Sequence, residues 1–408
     1  MRLFIMALFL LVSVHAGHAG MTLSLEEAEK FFIENNPDVR AKRAEIGKAD
    51  AEIIEAKALP NPSLRYELES LKDGERETEQ TFSVSQSLDI FRKRSKKREA
   101  AEKRREAGAL LLEHDVTEMA VQMKQTYCRI LLLKENESAI GELITMFEEV
   151  ERRTAERVKE GDASEADLMR LSSERKRLVR SLKGLQTELS VEKKKLALLL
   201  NMGQDEFDLP GPLSFSPLSL SARDLADRAV MHRPDIKARS AAVEASGVAL
   251  SLAALQPAPS PEVEAGYKTR SGGFAGFVFG ISIPLPLFDR NQGGIARAET
   301  ELAQERATLE RLKRSAAYEV SVLSERLALL QSRIDDLSQQ LETARELVRI
   351  AGIAYEEGET GLLELLDATR SGKELTMEYN NAVYEYRATL FDLEKATGTR
   401  LVKSGGAQ

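Results

Sequence analysis

The sequence predicts a mainly α-helical chain with a small β part, in which long helices form a coiled-coil α-helical barrel and two β-hairpins contribute four strands. Three observations predict this fold class. Several landmarks recur with a spacing of 197 residues, two long tracts contain no proline, and two pairs of segments alternate between apolar and polar residues. The composition agrees, because 30% of the 408 residues are charged and only 5% are aromatic, which is typical of long solvated helices.

The repeat spacing indicates that the chain is a duplication of one unit. The matched pairs, each 197 residues apart and aligned without a gap, are Pro37 with Pro234, Pro60 with Pro257, Phe91 with Phe288 and Gly161 with Gly358. Such agreement predicts two structurally equivalent halves. We expect the first repeat at residues 20–209 and the second at 222–396, with a proline-rich linker at 210–221 and a C-terminal tail at 397–408.

Residues 1–19 have the features of a secretory signal peptide. Arg2 precedes an apolar run at residues 3–14, and small residues follow up to Gly20. This run is too short to cross a bilayer, and we expect no later segment to offer the roughly 18 apolar residues of a transmembrane helix. The mature chain is therefore expected to leave the cytoplasm without a helical anchor.

Each half is expected to contain one long helix and two helical tracts of about half that length. The tracts without proline, residues 63–209 and 287–408, permit this because an interior proline costs a helix about 3 kcal/mol. We place long helices at about 92–160 and 290–357, half helices at 163–200 and 361–396, and shorter helices within 25–59 and 222–256. At 1.5 Å per residue, each long helix is about 100 Å long.

An apolar seam predicts coiled-coil packing of the long helices. Apolar residues recur at intervals of three and four in both of them. The seam residues are Leu112, Val116, Met119, Met123, Tyr127 and Ile130 in the first, and Leu309, Leu312, Ala316, Val320, Leu323, Leu327, Leu330, Ile334, Leu337, Leu341, Ala344, Val348, Ala351 and Tyr355 in the second. Each seam runs to a glycine, Gly161 or Gly358, where a helix C-cap with a positive φ is expected.

β-Hairpins are predicted at about 62–90 and 261–286. In the first, residues 63–69 and 82–85 alternate in polarity and a turn-rich loop joins them. Segments of about ten residues suit the strands of a membrane-spanning barrel, and a small soluble hairpin that caps a helix bundle is the alternative. Four strands leave two open edges, which lipid does not tolerate, so closure of a barrel needs other copies of the chain.

The charge pattern argues against nucleic acid as a partner. The net charge is −8, so the chain lacks the general basic surface that nucleic-acid binding needs. Basic residues do cluster at 92–98, a segment with the sequence RKRSKKR. We interpret this cluster as a solvated helix start close to a membrane, and polyanion binding is the alternative.

No catalytic, cofactor or metal site is predicted. Two of the four histidines lie in the leader, and His114 and His232 are isolated from each other and from Cys128, the only cysteine. Metal sites and nucleophilic catalysis both need clusters of such residues. We therefore expect no enzyme activity and no cofactor, and we interpret Cys128 as a small core residue.

The chain resembles TolC-type outer-membrane factors across nearly all of its mature sequence. Residues 354–369, AYEEGETGLLELLDAT, are similar to the family's periplasmic tip turn, and the Asn-Pro-Asp triplet at 36–38 resembles its entry motif. Residues 283–294, IPLPLFDRNQGG, are similar to the cobalt-zinc-cadmium (CzcC-like) branch of resistance-nodulation-division efflux systems.

This resemblance implies a TolC-like homotrimer in the cell outer membrane. Its twelve strands would form a transmembrane β-barrel in outer-membrane lipid, above a helical tunnel in the periplasm. The trimer would bind a periplasmic adaptor (membrane fusion) protein and an inner-membrane efflux pump, and conduct substrate to the exterior, with heavy-metal cations as the substrate that the branch implies. Drug efflux and type I protein secretion are alternatives within the family, and a periplasmic coiled-coil adaptor is the alternative outside it.

The resemblance also places a gate and a docking surface near the tip turns. The family's two gate carboxylates, three residues apart, match Glu364 and Asp367, whose spacing puts both on one helix face. In a trimer they would form acidic rings that favour cations. Solvated acids at a helix N-terminus are the plainer interpretation.

The first repeat departs from this charge pattern, with Asp167 opposite Glu364 but Arg170 opposite Asp367. We hypothesise that Arg170 pairs with an acid of a neighbouring helix and holds the gate closed. The expected adaptor-docking residues are Arg157, Gly161, Tyr355 and Gly358.

Overall fold

The computed structural model describes residues 21–73, 75–203, 207–218 and 221–401. The predicted signal peptide and residues 402–408 of the predicted tail lie outside this range. Within it, the chain is mainly α-helical with a small β part, which confirms the predicted fold class.

Eight helices and six strands follow one another along the described chain. The helices are α1 (Leu25–Asn35), α2 (Pro37–Lys57), α3 (Lys93–Glu160), α4 (Glu165–Leu200), α5 (Ala222–His232), α6 (Pro234–Leu255), α7 (Gln292–Glu357) and α8 (Leu362–Thr397). The strands are β1 (Met21–Thr22), β2 (Ser63–Asp73), β3 (Glu75–Ser87), β4 (Phe207–Asp208), β5 (Glu262–Arg270) and β6 (Phe274–Ser282). The sequence did not predict the short strands β1 and β4, which pair in parallel.

The spacing of 197 residues recurs in the helix boundaries and in their caps. Helices α1 and α5 each have 11 residues, and α4 and α8 each have 36. Ser24 caps α1 by accepting a hydrogen bond from the Glu27 amide, and Ser221 caps α5 through the Asp224 amide. Since a capping side chain satisfies an otherwise unpaired amide, the helix starts are encoded locally in both halves.

The chain divides into two compact units, and each takes segments from both repeats. Unit 1 contains the described residues of Met1–Asn36, Met123–Phe215 and Arg333–Arg387. Unit 2 contains those of Pro37–Gln122, Ser216–Ser332 and Ala388–Gln408.

Unit 1 is built on an apolar core of four helices. Its buried residues are Ile140, Ile144, Phe147 and Val150 of α3, Leu171 and Leu178 of α4, Ala351 and Tyr355 of α7, and Leu362 and Leu365 of α8. Further along α3, the Tyr127 hydroxyl donates a 2.9 Å hydrogen bond to the Leu23 carbonyl. Residues of the predicted apolar seam are buried in unit 1, and Ile334 and Tyr355 are examples.

Unit 2 contains an antiparallel sheet with the strand order β2-β3-β5-β6. Tyr66 pairs with Phe82, Phe82 with Tyr267, and Tyr267 with Phe277, so one aromatic row crosses all four strands. Apolar side chains on this face stay exposed, and Phe277 is 78% accessible. Among the described residues, the outer edges of β2 and β6 have no strand partner.

The two repeats make the same helix junction with different side chains. In unit 1, the Asn36 amide group donates a 2.8 Å hydrogen bond to the carbonyl of Leu199, near the end of α4. In unit 2, Arg233 occupies the equivalent position, and its Nη1 lies 3.5 Å from the carbonyl of Ala396, near the end of α8. Both side chains satisfy a carbonyl that the helix end leaves unpaired.

One described helix, α6, is long and apolar enough to cross a membrane by length and composition. This corrects the expectation that no segment after the leader reaches that hydropathy. The helix reaches it through small residues rather than large apolar ones, and Ala238, Ala241 and Ala245 are among those buried in unit 2.

Candidate functional site

The turns that follow the two long helices have the same backbone structure. Gly161 and Gly358 have φ values of 87° and 77°, as the sequence predicts for C-caps. The amide of Asp162 donates a 2.8 Å hydrogen bond to the Arg157 carbonyl, and that of Glu359 donates an equivalent bond to Ala354. These are Schellman caps, in which glycine avoids the strain of a left-handed residue and the last carbonyls find partners.

Side chains of α3 and α7 join the two repeats next to these turns in unit 1. Arg157 Nη1 donates hydrogen bonds to the carbonyls of Tyr355, at 3.0 Å, and Glu356, at 3.4 Å. The buried hydroxyl groups of Thr154 and Tyr355 lie 3.3 Å apart. The guanidinium of Arg157 thus stabilises the C-terminus of α7, where the helix dipole favours a cation. Arg157 and Tyr355, predicted to dock an adaptor, therefore contact each other within the chain.

An ion-pair chain extends this connection. Arg153 is bonded to Glu356 of α7 and, at 2.7 Å, to Glu149 of its own helix. Hydrogen bonds from Arg152 and then Arg153 lower the pKa of Glu149 to about 2, so this carboxylate remains charged at any physiological pH. The sequence did not predict a contact between Arg153 and Glu356. The alignment of the two repeats distinguishes both residues, because their counterparts differ in charge. Ile350 aligns with Arg153, and Lys159 aligns with Glu356.

The predicted gate acids lie at the start of the helices that follow the turns. Glu364 and Asp367 are exposed on α8. On α4, Arg170 Nη1 lies 3.7 Å from Asp167 Oδ1, one turn earlier on the same helix. Within the described chain, Arg170 pairs with its own helix rather than with Glu364 or Asp367. The two acids of α8 are exposed and form no ion pair among the described residues.

A shallow groove of about 610 Å³ lies between α3 and α4 close to the first turn. Met169 is exposed in it, and Arg175 bonds to Glu151 at 2.6 Å along its wall. An apolar side chain with polar residues around it has the core-and-rim arrangement of a protein interface.

The described residues contain no group of three or more His, Cys, Asp and Glu side chains arranged to hold a metal ion. His232 is exposed and His114 is half-buried. Cys128 is buried, as predicted for a core residue, and burial raises the pKa of its thiol to about 11. The thiol is therefore protonated and unreactive at neutral pH.

Long helices in two repeats, joined by a four-stranded sheet with an exposed apolar face, define a class of membrane-embedded export channels. The family model described as "Outer membrane efflux protein" matches residues 32–189 and 225–399. The chain therefore belongs to the outer membrane efflux protein family.

Individual relatives agree with this assignment. The chain is 25% identical over 370 residues to the cobalt-zinc-cadmium resistance protein CzcC of Cupriavidus metallidurans, covering 88% of this chain and 86% of that protein. Its fold is similar to that of CusC, with a TM-score of 0.74, 20% identity and 95% of each chain covered. It is also similar to the outer membrane protein VceC of Vibrio cholerae, with a TM-score of 0.73, 18% identity, and 93% of this chain and 97% of that chain covered.

The predicted TolC-like fold and outer-membrane location are confirmed by this family membership. The protein is an efflux channel of the outer membrane, so its function is transport and not catalysis. A periplasmic adaptor, the alternative outside the family, is excluded by the same match.

Proposed function

We propose that this chain is the outer-membrane channel of a tripartite efflux system that exports heavy-metal cations. The observation that carries the proposal is the similarity to CzcC over 88% of the chain, because the name of that relative states cobalt, zinc and cadmium resistance. An inner-membrane pump and a periplasmic adaptor would deliver the cations, and this channel would conduct them to the exterior.

The sheet supports assembly into a homotrimer that crosses the outer membrane. Its apolar face is exposed, and Phe279 is 79% accessible. Both sheet edges carry unpaired backbone groups, which cost several kcal/mol each in lipid. Three copies supply twelve strands, and pairing of β2 of one copy with β6 of the next closes the sheet and satisfies every edge.

The tip of each copy supports a gate with two parts. Glu364 and Asp367, repeated three times around an axis, form rings of negative charge that attract divalent cations. The contacts of Arg157 with Tyr355 and of Arg153 with Glu356 hold α3 and α7 together, so the pore opens when these contacts break. Arg170 reduces the negative potential of the ring in the first repeat.

The exposed turns and the groove beside them form the proposed adaptor surface. Gly161 and Gly358 are exposed at the ends of the long helices, and Met169 lies in the nearby groove. Adaptor tips would pack on these backbone turns and on Met169, while Arg157 and Tyr355 support the turns from within the chain.

Deletion of the gene in its host tests the proposed substrate. We expect tolerance to cobalt, zinc and cadmium to fall, with unchanged tolerance to detergents and dyes, and complementation to restore it. Loss of drug tolerance alone would identify a drug channel, and loss of a secreted protein alone would identify a type I secretion duct. Either result would overturn the metal proposal.

Single-channel recordings of the purified protein in planar bilayers test the gate. Replacing Asp367 with alanine should weaken block by divalent cations, and Arg170→Ala should strengthen it. Glu374→Ala is the matched control, because Glu374 is an acid two turns further along α8 that already pairs with Arg370 at 3.2 Å. Equal cation block in all variants would exclude these residues from the gate.

A further inference from the structure

A basic cavity in unit 2 is unused by the export mechanism. It has a volume of about 390 Å³ and lies where the end of α2 meets the start of α3. Its lining residues are Ala56, Lys57, Asp89, Arg92, Arg94, Ser95 and Arg98. Four of these residues, Arg92, Arg94, Ser95 and Arg98, belong to the basic segment at 92–98.

The charge of this cavity is not neutralised by its own lining. Asp89 is its only acid, and both carboxylate oxygens accept hydrogen bonds from the first amides of α3, those of Lys93 at 2.8 Å and Arg94 at 2.9 Å. Arg98 pairs with Glu102 at 3.4 Å. Among the described residues, Lys57, Arg92 and Arg94 form no ion pair.

Arg94 has a buried nitrogen that no described protein group satisfies. Its Nη1 is enclosed from solvent and has no hydrogen-bond partner among the described residues. Arg94 lines both this cavity and a second one of about 260 Å³ beside it. A buried guanidinium nitrogen without an acceptor costs a few kcal/mol, so an anion that fills the site removes a real penalty.

Exposed apolar side chains lie next to the cavity in the chain. Ile90 and Phe91, directly before the basic segment, are exposed, and Leu59 beside the end of α2 is 69% accessible. The apolar face of the sheet also ends near these residues in the sequence, because its strand β3 ends at Ser87. Exposed apolar side chains next to arginines match the boundary between acyl chains and phosphate groups.

From this combination we propose that the cavity binds the phosphate of an anionic phospholipid in the periplasmic leaflet of the outer membrane. The guanidinium groups of Arg94 and Arg98 donate to the phosphate oxygens, since a planar guanidinium matches that geometry. Lys57 and Arg92 add positive charge, and the acyl chains lie against Ile90 and Phe91. The lipid fixes the height of the channel in the membrane.

Only the first repeat carries this site. The aligned segment of the second repeat, residues 289–295, reads DRNQGGI and holds a single basic residue, Arg290. Gly293 and Gly294 replace Lys96 and Lys97. The proposal therefore predicts one lipid site for each chain and provides an internal control.

Native mass spectrometry of the full chain in detergent tests this proposal. Phosphatidylglycerol and phosphatidylcholine with identical acyl chains are titrated onto the protein. We expect one phosphatidylglycerol per chain to bind about tenfold or more tightly than phosphatidylcholine, and R94Q/R98Q to lose this preference. The variant R94K/R98K keeps the positive charge and should therefore retain part of the preference for phosphatidylglycerol.

Two controls remove positive charge elsewhere: R104Q/R105Q removes two charges, as R94Q/R98Q does, and R290Q removes one. The variant R104Q/R105Q changes two arginines further along α3, which already pair with the exposed acids Glu52 and Asp50. The variant R290Q changes an arginine of the second repeat. Both should keep the preference. Equal binding of the two lipids to the unaltered protein, or equal losses in R94Q/R98Q and R104Q/R105Q, would overturn the site. Displacement of the lipid by inorganic phosphate at equal concentration would show a free-anion site instead.

Discussion

Arg233 is a buried charged residue of unit 2 with two acidic partners. It pairs with Asp235 at 2.8 Å and Glu319 at 2.6 Å, and lies beside the carbonyl of Ala396. Burial by itself raises the pKa of Asp235, but the hydrogen bonds and charge of Arg233 outweigh it and hold that pKa below the usual 3.8. Asn36 makes the equivalent junction through a neutral hydrogen bond to the Leu199 carbonyl.

Replacing Arg233 with methionine should lower the free energy of unfolding by about 3 kcal/mol at pH 7, because two acids lose their buried partner. Arg239→Met is the control, since the Arg239 and Glu305 pair is more exposed and is worth less than about 1 kcal/mol. Denaturant unfolding followed by circular dichroism measures both. Equal losses in the two variants would contradict the assigned role of Arg233.

The same pair gives a pH dependence with a definite sign. The folded pKa of Asp235 is lowered, so its contribution is complete above the unfolded value near 3.8 and is lost as the pH falls through the folded value. The stability difference between the unaltered protein and Arg233→Met should therefore shrink below about pH 4. A constant difference from pH 7 to pH 3 would exclude ionised Asp235 as the partner.

The two capping glycines offer a matched test of the connection between the repeats. A Cβ at Gly358 would lie 3.1 Å from Arg157 Nη2, whereas one at Gly161 meets nothing within 4 Å. Alanine costs about 1 kcal/mol at either positive φ. Hydrogen exchange should rise near the ends of both α3 and α7 in Gly358→Ala, but only around its own turn in Gly161→Ala.

At the scale of elements, the sheet separates two neighbouring residues of β3 onto opposite faces. Phe82 belongs to the exposed apolar row, and Thr81 faces the other side, paired with Lys268. Phe82→Arg should prevent insertion, because an arginine facing lipid costs about 2–4 kcal/mol near the bilayer midplane. Thr81→Arg should be tolerated.

The measurement for this pair is the amount of folded, heat-modifiable protein in the outer-membrane fraction. Equal insertion of Phe82→Arg and Thr81→Arg would contradict a lipid-facing role for the aromatic row.

Local sequence rules account for most of the helices. Serine caps, glycine C-caps and the positions of proline act within a few residues, so the sequence predicted the ends of α3 and α7 at Glu160 and Glu357. The strand order could not be predicted in the same way. Pairing of β3 with β5 joins residues that are far apart in sequence, and alternation specifies a strand's faces but not its neighbour.

For the whole molecule, we expect the purified chain to be a trimer that requires detergent and whose gel mobility changes on heating. Open edges on β2 and β6 and the exposed apolar face both demand partners in the membrane. Analytical ultracentrifugation in detergent and electrophoresis of unheated samples measure this. A monomer extracted by salt alone would contradict the assembly.

The candidate site was only partly predictable from the sequence. Resemblance to the family marked the acidic residues Glu364 and Asp367, which the structure places exposed on α8. It did not reveal that Arg153 meets Glu356, because these residues are 203 positions apart and each has ordinary neighbours in its own helix. Arg170 pairs with Asp167 in this chain, so its hypothesised contact with a neighbouring helix stays a prediction.

The sequence by itself determined the duplication, the types and ends of the main elements, and the family, because periodicity, caps and proline positions act over short distances. Only the tertiary structure decided which charges meet. Packing of helices that are distant in sequence joined Arg157 to Tyr355 and Arg233 to Glu319, and left Arg94 Nη1 without a hydrogen-bond partner among the described residues. Such contacts depend on the geometry of the folded chain, which local sequence rules do not specify.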